Sequence, residues 1–201
     1  MDQGASEGME SDTREAIMRA VYRALCEHGY ANLTTKRIAD ELGKSTALLH
    51  YYYESKEELL VAFLEYLLTQ LDTKVADEAA NPSEKLEILV DALLPESPAE
   101  SEFGVAALEM KAQAPYVEPF RQQLQTNDDR ITELIEEMIQ EGIDTGHFAD
   151  VDPARAAEHL RILVEGARTR SIVLDKPESV AVGRTTIEEY LEALRTEGDP
   201  G

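Results

Sequence analysis

Between Leu33 and Leu60 the chain reads LTTKRIADELGKSTALLHYYYESKEELL, a concentration of hydroxyls, cations and aromatic tips. The chemistry it suits is recognition of phosphates and base edges. Thr34 and Thr35 open an expected helix, where hydroxyls and backbone N–H groups can meet a phosphate and the helix dipole favours it. Lys36 follows and should point to a groove. After Gly43 the chain turns past Lys44, and Ser45 is a good N-cap for a second short helix. Its exposed face would present Thr46, Ala47, Leu48 and His50. Ala47 and Leu48 suit thymine methyls, and His50 suits a base edge or a phosphate. Tyr51, Tyr52 and Lys56 would contact the sugar-phosphate backbone, while Tyr53 is expected in the core. Helix, glycine turn and helix over 34–53 make a helix-turn-helix, whose second helix enters the major groove.

These side chains need rigid elements behind them, and helical spacing supplies them from Ser11 nearly to the end of the 201 residues. Strand-like alternation is absent, so the fold is predicted to be all-α, with about nine helices. The first should run from about Thr13 to His28, with Ile17, Ala20, Val21, Ala24 and Leu25 on one face and Gly29 ending it. The second spans about Thr35 to Leu42 and the third runs from Ser45 to near Tyr53. Ser55-Lys56-Glu57-Glu58 reads as a capping box opening a long fourth helix. Further starts are predicted at Asn81-Pro82-Ser83, at the capping box Ser97-Pro98-Ala99-Glu100, at about residue 116 beside Pro115 and Pro119 for a longer helix to about 141, at Asp152-Pro153 and at Thr185-Thr186-Ile187-Glu188. The expected divisions are a disordered 1–10, a DNA-binding domain 11–56, a helical regulatory and dimerisation domain 57–196, and a tail 197–201.

The net charge of −22 is far from what a nucleic-acid binder should carry, and its distribution resolves the conflict. Residues 11–56 hold seven basic and six acidic groups, whereas residues 57–201 hold 12 basic and 32 acidic ones. The first module has escaped the acidification of the rest, as it must if phosphates approach it. An acidic surface with only seven lysines fits a salt-rich cytoplasm, where self-repulsion is screened. No apolar run approaches the roughly 18 residues of a membrane span, and the polar N-terminus lacks the regions of a secretory signal. A cytoplasmic location is expected. The single cysteine, Cys26, is read as a core thiol.

The string 33–60 resembles the DNA-binding domain of the TetR family of regulators. The matched residues are Thr34-Thr35, Ile38-Ala39, Leu42-Gly43, Ser45, Leu49, Tyr51-Tyr52-Tyr53 and Ser55-Lys56-Glu57-Glu58-Leu59-Leu60. Lys44, Thr46 and His50 depart from the family's usual small apolar residue, lysine or glutamine, and tyrosine, so base preference is not inherited. The resemblance implies a repressor that binds a palindromic operator in double-stranded DNA as a homodimer and is released by a small-molecule effector. It places the dimer contact on the last two long helices, about 153–174 and 185–195, with Leu160, Leu163, Val164, Gly166, Ala167, Ile172, Ile187 and Leu191 as candidates. It implies an effector pocket among helices five to eight, with candidate lining Phe103, Glu109, Met110, Gln113, Tyr116, Phe120 and Leu163. Glu109 could pair with a cationic effector.

Other classes fit less well. A carboxylate-bridged metal enzyme needs Glu-x-x-His pairs, and none of the four histidines has a glutamate three residues before it. His28, His147 and His159 read as surface or cap residues. Nucleophile elbow, phosphate loop and dinucleotide fingerprint are all absent from the sequence. Neither an enzyme nor a cofactor is expected. An assembly module with a vestigial DNA face should have acidified along with the remainder.

Overall fold

A helix that buries every third or fourth residue needs partners on that side, and the α1 stripe finds them. In the computed structural model, which describes residues 3–78, 81–95 and 98–195, the described residues form nine helices. They are α1 (Gln3–Asn32), α2 (Thr35–Leu42), α3 (Thr46–Tyr52), α4 (Lys56–Glu78), α5 (Pro82–Leu93), α6 (Pro98–Gln113), α7 (Glu118–Asp144), α8 (Pro153–Val173) and α9 (Glu178–Leu194). The chain divides into two compact units, Met1–Leu67 with Glu102–Leu124 and Leu68–Ser101 with Gln125–Gly201. The first unit runs on through α4 to Leu67 and takes in most of α6 and the start of α7.

In the first unit Ile17, Ala20, Val21, Ala24 and Leu25 are buried with Ile38, Ala39, Leu49, Leu59, Leu60, Phe63, Ala106, Met110 and Phe120. Each fully buried large apolar side chain contributes about 1.5–3 kcal/mol. The second unit is built around Leu86, Leu89, Ile135, Ile139, Ala157, Leu160, Val164 and Ile187.

Side-chain caps mark the starts of α2, α4, α5 and α8. Thr34 Oγ1 accepts from the Arg37 N–H at 3.2 Å, Asn81 Oδ1 from Glu84 at 2.9 Å and Asp152 Oδ1 from Arg155 at 3.2 Å. Ser55 Oγ accepts from Glu58 N at 3.0 Å, while the Glu58 carboxylate reaches back to the N–H of Glu54 at 2.7 Å, one residue before the cap. Gly43 closes α2 in the left-handed region at φ 67°, a conformation that other residues adopt only at a cost.

Three expectations are corrected. Residues 3–10 were expected to be disordered but continue α1, in a segment free of proline that contains Ala, Glu and Met. Gly29, expected to end α1, interrupts it at φ 68° and ψ 169°, and one further turn follows. The last helix begins at Glu178, not at Thr185, because Thr186 returns its hydroxyl to the Val182 carbonyl at 2.8 Å and so sits inside a helix. The capping box expected at Ser97 and the tail 197–201 lie outside the described residues.

Candidate nucleic-acid interface

The recognition helix is short and held by little. Of the seven residues of α3 only Leu49 is buried, at 1% exposure, and it plugs the first core. Everything else on α3 is exposed or half-buried. Ala47, His50 and Tyr51 are exposed, and Thr46 and Leu48 are half-buried. Ser45 stands at the N-cap without making a side-chain capping bond. Its hydroxyl therefore has capacity for an outside partner.

Exposed Lys36, Lys44 and Thr34 and half-buried Thr35 surround the ends of α2. Thr34 spends an oxygen lone pair on its own cap and keeps its O–H to donate. Tyr51 is 79% exposed, and its ring meets that of Tyr52 edge-on at 5.1 Å. The guanidinium of Arg14 on α1 lies 5.8 Å from the Tyr52 ring centre, a cation–π distance. Tyr53, expected in the core, is half-buried against it, and burial pushes its phenol pKa up.

Two basic residues are anchored to backbone carbonyls. Lys56 is half-buried and donates from Nζ to the Leu33 carbonyl at 2.9 Å, so it is anchored rather than free to swing. Arg37 donates to the Asn32 carbonyl at 2.6 Å. The partners are backbone carbonyls at the end of α1, which no spacing rule reveals. Arg23 was not singled out at all, yet it ties α1 to the end of α2 through Glu41.

The candidate effector residues are divided between the two units. Met110 and Phe120 are fully buried in the first core, at 1% and 0% exposure. Phe103 stacks on Tyr22 at 4.9 Å and meets Phe63 edge-on at 6.0 Å. Glu109 accepts the Tyr30 N–H at 2.7 Å, Gln113 is half-buried and Tyr116 is exposed. Leu163 belongs to the second unit.

The dimer candidates divide similarly. Leu160, Val164, Ala167, Ile187 and Leu191 are buried within their own chain, because α8 and α9 pack on each other. They are intrachain core, and apolar periodicity cannot separate the two roles. Leu163 and Ile172 are half-buried and Gly166 is exposed. The apolar surface left over includes Ile162 and Val182, both above 60% exposed, which with Leu163 and Gly166 line a shallow groove between α8 and α9. Among the described residues no group of histidine, cysteine and carboxylate side chains could hold a metal, and no helix could cross a membrane.

An all-helical chain that presents a lightly anchored helix beside a capped one, on the one module spared from acidification, is a helix-turn-helix transcriptional regulator. Comparison with known proteins agrees. The pattern of bacterial regulatory proteins of the tetR family matches residues 17–63, and that of the BetI-type transcriptional repressor C-terminal region matches residues 82–196. The chain belongs to the TetR family, with a C-terminal region of BetI type, and is a regulator rather than an enzyme. It is similar to the HTH-type transcriptional regulator BetI of Rhizobium meliloti (strain 1021), at 31% identity over 196 residues, covering 96% of this chain and 94% of that one. A TetR transcription regulator from Haloarcula marismortui shares 45% identity at a TM-score of 0.81, covering 92% of this chain and 100% of that chain. A transcriptional regulator from Saccharomonospora viridis, solved in complex with choline, shares 26% identity at a TM-score of 0.75, covering 93% and 100%.

Proposed function

We propose that the protein is a dimeric repressor that reads a palindromic operator with α3 and leaves it when a small cation of the choline class binds. The observation that carries the DNA half is the anchoring of α3 by Leu49, which leaves Ala47, His50 and Tyr51 exposed beside the unspent Ser45 hydroxyl. Thr34, Thr35, Lys44 and Tyr52 supply phosphate contacts around it, Lys36 reaches into the groove, and Lys56 meets phosphate from its anchored position. Two copies pair through the exposed strip of α8 and α9 at Ile162, Leu163, Gly166 and Val182. A stable pair buries upward of roughly 1,000 Å² in all.

The effector class is supported by the choline bound to the Saccharomonospora viridis regulator and by the BetI-type C-terminal match. Trimethylammonium groups are recognised by aromatic faces and a carboxylate, and the first unit is rich in both.

The test is a titration of the complex with DNA flanking the protein's own gene, followed by fluorescence anisotropy while choline is added. Choline at millimolar concentration is expected to weaken operator binding at least tenfold and to raise the melting temperature. An unchanged affinity and melting temperature would remove choline as the effector and leave the DNA reading intact.

A further inference from the structure

The short strip of chain between the break in α1 and the start of α2 is gripped from three other helices. Gly29 turns the following peptide out of the helix, and the freed Tyr30 N–H donates to the Glu109 carboxylate on α6 at 2.7 Å. At the far end the Asn32 carbonyl accepts from Arg37 on α2 at 2.6 Å, and the Leu33 carbonyl accepts from Lys56 on α4 at 2.9 Å. The Lys56 ammonium also stands 4.7 Å from the centre of the Tyr30 ring. The same ring meets Phe120 edge-on at 6.2 Å. Tyr30 is therefore held by its backbone from α6 and holds Lys56 by its ring.

We propose that Glu109, Tyr30 and Lys56 form a relay through which the position of α6 sets how firmly Lys56 is presented to DNA phosphate, with Glu109 as a positioning residue. The proposal rests on the reading of Lys56 as a phosphate contact. A hydrogen bond to a carboxylate is short and strong, and a side chain at Gly29 would crowd the Glu109 carboxylate, its Cβ standing 3.1 Å from Oε2. Movement of α6 that withdraws the carboxylate leaves the Tyr30 N–H without its acceptor. The ring then loses its fixed place, and Lys56 keeps one of its two holds. Lys56 stands beside the Leu33 carbonyl, next in sequence to the Thr34 cap where a phosphate would lie. Preorganising its ammonium there strengthens binding to every DNA sequence alike, because phosphate contacts carry no base information.

A double-mutant cycle on operator and random duplexes at fixed salt tests the relay. Lys56→Ala alone is expected to weaken both duplexes about tenfold, the effect of one strong contact. Glu109→Ala should weaken both about fivefold, at the low end of measured couplings between sites. Glu109→Gln, which retains an accepting oxygen, should recover most of that loss. In the Glu109→Ala background, Lys56→Ala should cost about threefold or less, a non-additivity that a merely structural role for Glu109 does not produce. Full additivity with a live Lys56 effect overturns the relay alone. A silent Lys56→Ala overturns both the relay and the phosphate reading. The unaltered protein gives a second readout that does not depend on any variant folding. By reciprocity, saturation with random duplex should slow hydrogen exchange at the Tyr30 amide, and an unchanged rate would overturn the relay.

Discussion

Arg23 on α1 holds Glu41 at the end of α2 twice, from Nε to the carboxylate at 3.1 Å and from Nη2 to the backbone carbonyl at 3.0 Å. The pair fixes the angle at which α2 leaves the first core. Its side chains are 50% and 25% exposed, so solvent screening limits the ion pair to about 0.5–1 kcal/mol. Arg23→Ala is expected to lower the melting temperature by a few degrees and to weaken operator binding. Arg23→Lys should recover less than half, because a lysine cannot reach both oxygens with one fork. Thermal melts and binding isotherms on the three proteins check this, and unchanged values for Arg23→Ala would remove Arg23 from the account.

Exposed His50 and Lys36 face outward where Lys56 is anchored, so their substitutions should read differently. His50→Ala and Lys36→Ala are expected to cost about 1–3 kcal/mol each on the operator and much less on random DNA, as base contacts do. Leu49→Ala should act through stability instead, costing about 2–5 kcal/mol by opening a cavity under α3. Competition assays with random duplex separate the cases. Equal losses on both duplexes for His50 and Lys36 would move the reading face elsewhere.

A Cβ on Gly183 would stand 2.5 Å from the Ala167 side chain, while one on Gly166 would meet nothing within 4 Å. Gly183→Ala must therefore push α8 and α9 apart and is expected to cost about 1–3 kcal/mol. Gly166→Ala should leave the fold untouched. Ile162→Glu and Val182→Glu, on the exposed strip, should leave the melting transition of the monomer near that of the parent yet abolish the dimer in light scattering. A dimer that survives both charges would place the interface on another surface.

The charge partition sets an expectation for salt. Ordinary DNA binders lose affinity as salt rises, with a slope near −0.9 per phosphate contact. Here 32 carboxylates over residues 57–201 repel both DNA and partner subunit at low salt, and screening removes that repulsion as the Debye length falls from about 10 Å to 3 Å. Operator affinity is expected to stay flat or rise between roughly 0.1 M and 1 M monovalent salt. A steep loss in a titration with the dimer shown intact would refute the balance.

Much of the fold was legible because its signals are local. The bounds of α2 follow from Thr34 and Gly43, and the starts of α5 and α8 follow from Asn81 and Asp152, whose partners lie three residues away. On α3 the two leucines split, Leu49 buried and Leu48 half-buried, while Ala47 and His50 of the face assigned from sequence are exposed. What escaped was set by distant partners. Lys56 and Arg37 bond to backbone carbonyls of Leu33 and Asn32, and Glu109 to a backbone N–H of Tyr30, none of which has a side-chain signature. Leu160 and Val164 carry the right periodicity for an interface and for a core, and packing by α9 decided for the core. Met110 and Phe120, candidate pocket lining by resemblance, likewise pack in the core of the first unit.

The central claim, that α3 reads a palindrome as one half of a symmetric pair, is tested most directly by hydroxyl-radical footprinting on DNA flanking the protein's own gene. Two protected half-sites related by a dyad and centred about 34–36 Å apart are expected, with protection lost in Leu49→Ala and narrowed to backbone contacts in His50→Ala. Protection of a single asymmetric site, or a footprint indifferent to both substitutions, would contradict it.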